Sequence, residues 1–109
     1  MVNVMNKMMV FVYGTLANSE IRKSILNRHV PATPSTLVGY DGSKTITIEN
    51  ESYFAAEKNT ESVTKGFVIE LTPEEILKLD VYETDVYKKR EVILIDGTKA
   101  WVYLNANSD

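Results

Sequence analysis

The hydrophobic and polar positions fall into short blocks whose period changes along the chain. Met8–Tyr13 (MMVFVY) has no polar alternation and therefore reads as a strand covered on both faces. Residues 14–18 (GTLAN) break it. From Ser19 to Arg28 the period is helical, with Ile21, Ile25 and Leu26 on one side and charges opposite. Asn18 or Ser19 can cap the first turn, because either side chain accepts from an otherwise orphan N–H. Pro31 and Pro34 end the segment.

The pattern then changes to period two. Thr36–Tyr40, Thr45–Glu49 and Ser52–Ala56 are predicted strands, with Asp41-Gly42 as the turn between the first two. Val63–Leu71 alternates most clearly, Phe67, Ile69 and Leu71 opposing Val68 and Glu70. Thr72-Pro73-Glu74-Glu75 has the chemistry of a helix start: threonine as cap, proline where no N–H is needed, and Glu75 closing a capping box. That helix is predicted over about Pro73 to Val81. Glu91–Ile95 and Lys99–Leu104 form a hairpin around Asp96-Gly97-Thr98, where glycine supplies a positive φ. Asn105–Asp109 reads as a polar, frayed tail. This order predicts one α+β domain over residues 1–109. Its expected architecture is a small, mixed but mostly antiparallel, barrel-like sheet with two flanking helices. No repeat, low-complexity tract or linker divides the chain.

Composition narrows the chemistry. At 109 residues, 44% hydrophobic and 25% charged, the chain has enough apolar surface for a core without staples. It has no cysteine, which removes disulfides, thiolate metal sites and a cysteine nucleophile. A single histidine, His29, excludes a three-histidine metal site within one chain. The balance of 12 basic to 15 acidic residues, net −3, argues against a nucleic-acid binder, since Lys88-Lys89-Arg90 is the one dense basic cluster. The apolar run at Met8–Tyr13 is far shorter than the ~18–20 residues that span a bilayer. It is not followed by a signal-peptide cleavage pattern either, so a soluble, cytoplasmic protein is expected. Met5, Met8 and Met9 each offer a start for the ordered chain. Oligomeric state leaves no mark on the sequence.

Two places can carry chemistry. The corner Tyr13-Gly14-Thr15-Leu16, between a buried strand and a helix, leaves consecutive N–H groups that can converge on a carboxylate, phosphate or oxyanion; alternatively Gly14 only turns the chain. Glu83 is the second. Taking Ile76 as zero and ~100° per residue, Leu79 falls near ~−60°, Glu83 near ~−20° and Asp80 near ~+40°. If the helix runs one turn past Val81, Glu83 projects from its apolar face. Burial would then raise its pKa, with Asp80 able to raise it further by repulsion, as suits a general acid or base. If the helix stops at Asp80, Glu83 is a solvated loop residue. Tyr82, Tyr87 and Arg90 follow, and Arg90 can clamp a substrate carboxylate or form a surface ion pair. Trp101 and Tyr103 on the last strand read as packing residues, and His29 as a structural residue or a partner for the helix C-terminus. No phosphate-loop, dinucleotide or zincin motif is present.

These residues resemble a known family. Phe11-Val12-Tyr13-Gly14-Thr15-Leu16 is similar to the N-terminal signature of the γ-glutamylcyclotransferase-like superfamily. Leu79-Asp80-Val81-Tyr82-Glu83 resembles its leucine–aspartate–x–x–glutamate segment, Tyr87–Val92 the stretch after it, and Ala100–Tyr103 its last strand. The similarity runs from about Met8 to Leu104. It implies a small barrel-like fold and an enzyme that cyclises a γ-glutamyl group to 5-oxoproline, releasing an amine or amino acid without metal or cofactor. It further implies Glu83 as general acid/base and Tyr13, Gly14, Thr15 and Leu16 as the loop binding the γ-glutamyl end, with Tyr87 and Arg90 beside them. The substrate is then a small γ-glutamyl molecule, and the short chain favours γ-glutamylamines or similar small amides. Two departures stand out. Thr84 occupies a position where many relatives have glycine. The region Gly39–Thr64 lacks an expected proline and carries Tyr53-Phe54 and the polar stretch Glu57–Ser62, read as a pocket wall. A module on the same fold that binds a small anion or a partner without turnover is the competing class.

Overall fold

The computed structural model describes residues 7–107. Five strands form one sheet in the order β2-β5-β1-β7-β6, where β1 is Met8–Val12, β2 Thr33–Asp41, β5 Glu57–Leu71, β6 Tyr87–Ile93 and β7 Lys99–Asn105. All pairings are antiparallel except β1 with β7, which run parallel through Val10 and Trp101. The Ile95 N–H reaches the Thr36 carbonyl, and Ala56 bridges Leu104, with the Asn105 N–H donating to the Ala56 carbonyl at 3.1 Å. These links curl the sheet into a half-barrel. Two further strands, β3 (Thr45–Ile48) and β4 (Glu51–Phe54), pair only with each other as a separate ribbon.

Strand β1 is central, which explains its unbroken apolar run: Val10, Phe11 and Val12 are all buried. Its alternate residues serve two cores. Val10 and Val12 join Leu26, Ile69, Leu71, Ile76 and Leu79 beneath the helices. Phe11 packs with Leu37, Ala56, Leu94, Val102 and Leu104 inside the curl. Gly66 permits the crossing of β5 over β1, because a Cβ there would lie 2.3 Å from the Val12 carbonyl oxygen and 2.7 Å from the Phe11 ring.

The first helix, α1 (Ser19–Leu26), is capped by Asn18, whose Oδ1 accepts from Glu20 and Ile21. It stops two residues before the predicted Arg28, at Asn27 in the left-handed region, and so ends before either proline acts. Pro34 instead lies in the edge strand β2, where a missing N–H is tolerated. Arg22, expected on the charged face, is buried. The second helix, α2 (Pro73–Glu83), has the complete capping box of Thr72 and Glu75, and Arg28 pairs with Glu75 at 2.6 Å. It continues two residues beyond Val81. The strand predicted from Val63 begins earlier, at Glu57. Asn105, predicted to start a frayed tail, is a buried end of β7 whose side-chain amide donates to Glu57. Residues 108–109 of that tail, and Met5 among the candidate starts, lie outside the described residues. Among the described residues, no helix is long and apolar enough to cross a membrane.

Candidate active site

The strand β1 ends at Val12, and Tyr13 leads into a single 3₁₀ turn, Gly14–Ala17. Gly14 has φ +61, and a Cβ there would meet the Phe54 Cβ at 3.1 Å, so both conformation and space favour glycine. The first N–H groups of such a turn have no partner within it. Behind the turn, the buried Arg22 guanidinium donates to the Leu16 carbonyl at 3.0 Å. Tyr13 fixes the corner to its surroundings: its hydroxyl donates to the Tyr103 carbonyl at 2.5 Å and accepts from the Ala56 N–H at 2.8 Å.

Glu83 is the last residue of α2 and is only 7% exposed. The solvated-loop alternative is thereby excluded. The next residue has an unusual backbone: Thr84 has φ 60 and ψ −167, a region almost confined to glycine, with a typical cost of about 1–3 kcal/mol. Its hydroxyl donates to the Glu83 carbonyl at 2.5 Å and accepts from the Val86 N–H at 3.4 Å. Thr84 thus holds a backbone conformation suited to glycine, and a short 3₁₀ turn, Thr84–Val86, returns the chain to Tyr87.

Glu83 and the Tyr13–Leu16 corner face one cleft in two parts. A small recess of about 20 Å³ is lined by Tyr13, Thr15, Leu16, Phe54, Glu83, Tyr87 and Tyr103, among others. It is of the scale of a single water. Thr15, Glu83 and Tyr87 also line an adjoining outer chamber of about 340 Å³, with Ile48, Tyr53 and Tyr82 among its other walls. Burial pushes the Glu83 carboxyl up to about 7. Asp80 does not contribute as expected, since it accepts from the Lys89 ammonium at 3.1 Å and from the Tyr103 hydroxyl at 2.6 Å. Tyr13, Tyr87 and Tyr103 are all raised by burial, Tyr87 to about 12, so their phenols stay protonated. The cleft therefore holds one group able to exchange a proton near neutral pH, set in a neutral, largely aromatic wall.

The structure does not bring every sequence candidate here. Tyr87 reaches the cleft, its hydroxyl donating to the Phe54 carbonyl at 2.6 Å. Arg90 does not. Side chains alternate along β6, and Arg90 pairs with Val102, whereas Lys89, on the Tyr87 face, lies over the Trp101 ring at 5.6 Å. Arg90 is exposed on the other face and lines neither part of the cleft, so it is not placed to clamp a substrate there. His29 is exposed just beyond α1, with Asn27 closing that helix. Of the predicted pocket wall, Tyr53 and Phe54 take part, whereas Glu57–Ser62 is the first part of β5. Ile48 and Tyr103 line the cleft without being legible as site residues; an isolated isoleucine in a short alternating strand carries no signal of that kind.

Among the described residues no group of three or more carboxylates and imidazoles is gathered for a metal ion. A larger groove of about 520 Å³, bordered by Arg28, Pro31, Ser35, Glu70 and Asp96, shares no residue with the Glu83 cleft. Its Arg28 and Glu70 are engaged in ion pairs with Glu75 and Lys7.

Known structures share this arrangement of elements. The chain is similar in fold to a protein from Arabidopsis thaliana solved in solution, with 24% identity, a TM-score of 0.77, and coverage of 100% of this chain and 68% of that one. An uncharacterized protein from Pyrococcus horikoshii gives 20% identity and a TM-score of 0.69, over 93% and 80% of the two chains. A structure described as a gamma-glutamyl cyclotransferase gives 15% identity and a TM-score of 0.75, over 95% and 69%. A sequence comparison with curated proteins finds no significant match. The model of one family, described as gamma-glutamyl cyclotransferase, AIG2-like, matches residues 10–109, from the middle of β1 through β7 and thus across both halves of the cleft. The chain belongs to the gamma-glutamyl cyclotransferase, AIG2-like, family.

Proposed function

We propose that this protein cyclises a γ-glutamyl amide to 5-oxoproline, releasing the amine, with Glu83 as general acid/base. The observation that carries the reading is the Glu83 carboxyl, buried where the corner loop meets the outer chamber and raised to about 7 by that burial. A carboxylate at this poise takes a proton and returns it at neutral pH.

The substrate's α-amino group arrives as an ammonium and cannot attack until it loses a proton. Glu83 takes that proton, the freed nitrogen attacks the γ-carbonyl carbon, and the carbon–nitrogen bond to the leaving group breaks. The proton returns from Glu83 to the leaving nitrogen. The second proton lost by the attacking nitrogen ends on the freed, basic amine, and no water is consumed. The backbone of Gly14, Thr15 and Leu16 holds the γ-glutamyl end, as in the family's signature loop. Tyr13 sets the loop's position through its two hydrogen bonds, and Tyr87 closes the side of the cleft. An intramolecular closure of this kind needs mainly a folded substrate conformation, which a confined site imposes.

The test is production of 5-oxoproline, followed by mass spectrometry, from γ-glutamyl amides incubated with purified protein. Glu83→Gln should retain the fold and lose about 10²–10⁴ in rate, the general-base range. Cyclisation at the wild-type rate in that variant would remove Glu83 from the mechanism. Binding of γ-glutamyl compounds that survives Glu83→Gln, with no product from either protein, would favour the non-catalytic module.

A further inference from the structure

Three charged side chains are buried among the described residues: Glu75, Glu83 and Arg22. Glu75 closes the capping box of α2 and pairs with Arg28, and Glu83 stands in the cleft. Arg22 has neither a partner of opposite charge nor a task in the mechanism. It is 4% exposed, and its Nη1 donates to the Leu16 carbonyl at 3.0 Å. Its Nε is buried with no partner, and among the described residues no carboxylate forms an ion pair with it. An arginine keeps its charge inside a protein. A buried cation left uncompensated lowers stability, so its presence calls for a reason outside the core.

The corner loop supplies one. The start of α1 grips the back of that loop by two successive carbonyls: the Asn18 N–H donates to the Thr15 carbonyl at 3.0 Å, and Arg22 holds the Leu16 carbonyl. The Arg22 N–H in turn donates to the Asn18 carbonyl at 3.1 Å, so the two residues form one clamp. In a 3₁₀ turn the carbonyls point to one end and the free N–H groups to the other. A cation on the carbonyl end reinforces the turn's dipole, and hydrogen bonds linked through a peptide polarise one another. We infer that Arg22 is a positioning residue for the γ-glutamyl end: it holds the Leu16 carbonyl and supplies the fixed positive charge behind the loop against which the substrate's α-carboxylate is bound. The inference rests on the cyclotransferase reading, which seats that end on the corner. Arg22 lines neither part of the cleft and acts through the loop's peptides, and no lysine or arginine lines the cleft in its place. The α-amino group and the α-carboxylate share one carbon. An amino group brought to Glu83 therefore brings its carboxylate close to a second negative charge, and the cation behind the corner offsets that repulsion.

The experiment measures affinity by titration calorimetry in the Glu83→Gln background, where the ligand is not turned over. Two ligands are compared, γ-glutamyl-methylamide and its analogue with a carboxamide in place of the α-carboxylate. With Arg22 present, the carboxylate ligand should bind about tenfold tighter than the carboxamide. Arg22→Met, apolar and of similar length, should lower that preference by about fivefold or more. Arg22→Gln, which offers a donor without a charge, is a second neutral variant and should do the same. Arg22→Lys keeps the cation and should keep most of the preference. The preference is a ratio read within one preparation and is insensitive to the fraction folded, and a role confined to packing would weaken both ligands alike. A preference unmoved by Arg22→Met and Arg22→Gln, or lost equally in Arg22→Lys, overturns the inference, as does failure of the carboxylate ligand to bind. Formation of 5-oxoproline by protein with Glu83 intact is scored separately. Product without this coupling leaves the cyclotransferase reading standing and the role of Arg22 fallen. Coupling without product keeps Arg22 as the anchor of a bound γ-glutamyl end and removes the cyclisation.

Discussion

The burial that suits Glu83 to proton transfer has a thermodynamic cost that can be measured without any substrate. Its carboxyl is raised from 4.5 to about 7 in the folded protein, by desolvation. A group that binds its proton more tightly when folded makes the native state hold more protons than the unfolded chain between those two values. Stability therefore falls as pH rises through this window. Below about 4.5 the residue is neutral in both states and contributes nothing; above about 7 the destabilisation is fully present. The rise from 4.5 to about 7 corresponds to about 3 kcal/mol, at ~1.36 kcal/mol for each pH unit. Glu83→Gln removes the charge and should flatten this part of the profile. The variant should gain up to about 3 kcal/mol over wild type between pH 4.5 and pH 8, a substantial fraction of a typical domain's 5–15 kcal/mol. Urea unfolding at both pH values, followed by the fluorescence of Trp101, measures the gain. The glutamine amide adds its own offset, but an offset independent of pH cancels in the difference. A gap between variant and wild type that is the same at pH 4.5 and pH 8 would mean that burial does not raise this carboxyl. The same burial predicts a rate of cyclisation that rises with pH through about 7.

Two further substitutions test how the site is held. Tyr13→Phe keeps the ring but deprives the Ala56 N–H and the Tyr103 carbonyl of their shared partner, and should cost about 1–3 kcal/mol by urea unfolding; an unchanged midpoint would show that the hydroxyl does not fasten the corner. Gly66→Ala puts a methyl group 2.3 Å from the Val12 carbonyl oxygen, forces β1 and β5 apart, and should cost about 2–3 kcal/mol; wild-type stability would mean that the strands yield freely at this crossing.

Much of this architecture is legible in the sequence because particular signals are local. The capping box at Thr72 and Glu75 sets the start of α2, and the unbroken apolar run of β1 reports a strand covered on both faces. The end of α2 is less legible. Thr84 takes up a conformation that threonine rarely adopts, so no propensity argument locates the stop at Glu83. The polar residues of Glu57–Ser62 show no alternation, because most of that length of β5 is exposed on both faces: Glu57 and Lys58 pair with Asp41 and Tyr40, and residues 59–62 lie where the register with β2 shifts. Two differences arise from treating residues in isolation. Asp80 taken alone should repel Glu83, but Lys89 and Tyr103 arrive from distant strands to bind it. Tyr87 and Arg90 taken as neighbours belong to one site, yet they stand three apart on a strand. Period two sends such residues to opposite faces, a separation legible in the sequence itself.

The β3–β4 ribbon gives the cleft an unusual relation to the rest of the fold. It supplies Ile48, Tyr53 and Phe54 to the site, yet every residue of β4 is exposed and the ribbon pairs with no strand of the main sheet. An isolated two-stranded hairpin is only marginally stable in water. The tight turn that makes it is Glu49-Asn50, with φ 50 and 70, a conformation better suited to Asn-Gly. The amides of this wall should therefore exchange with solvent at free energies well below global unfolding. Part of any ligand's binding energy goes into holding that wall in place. Affinity can accordingly be raised from a position that no ligand touches, by giving the turn the residues its backbone already demands.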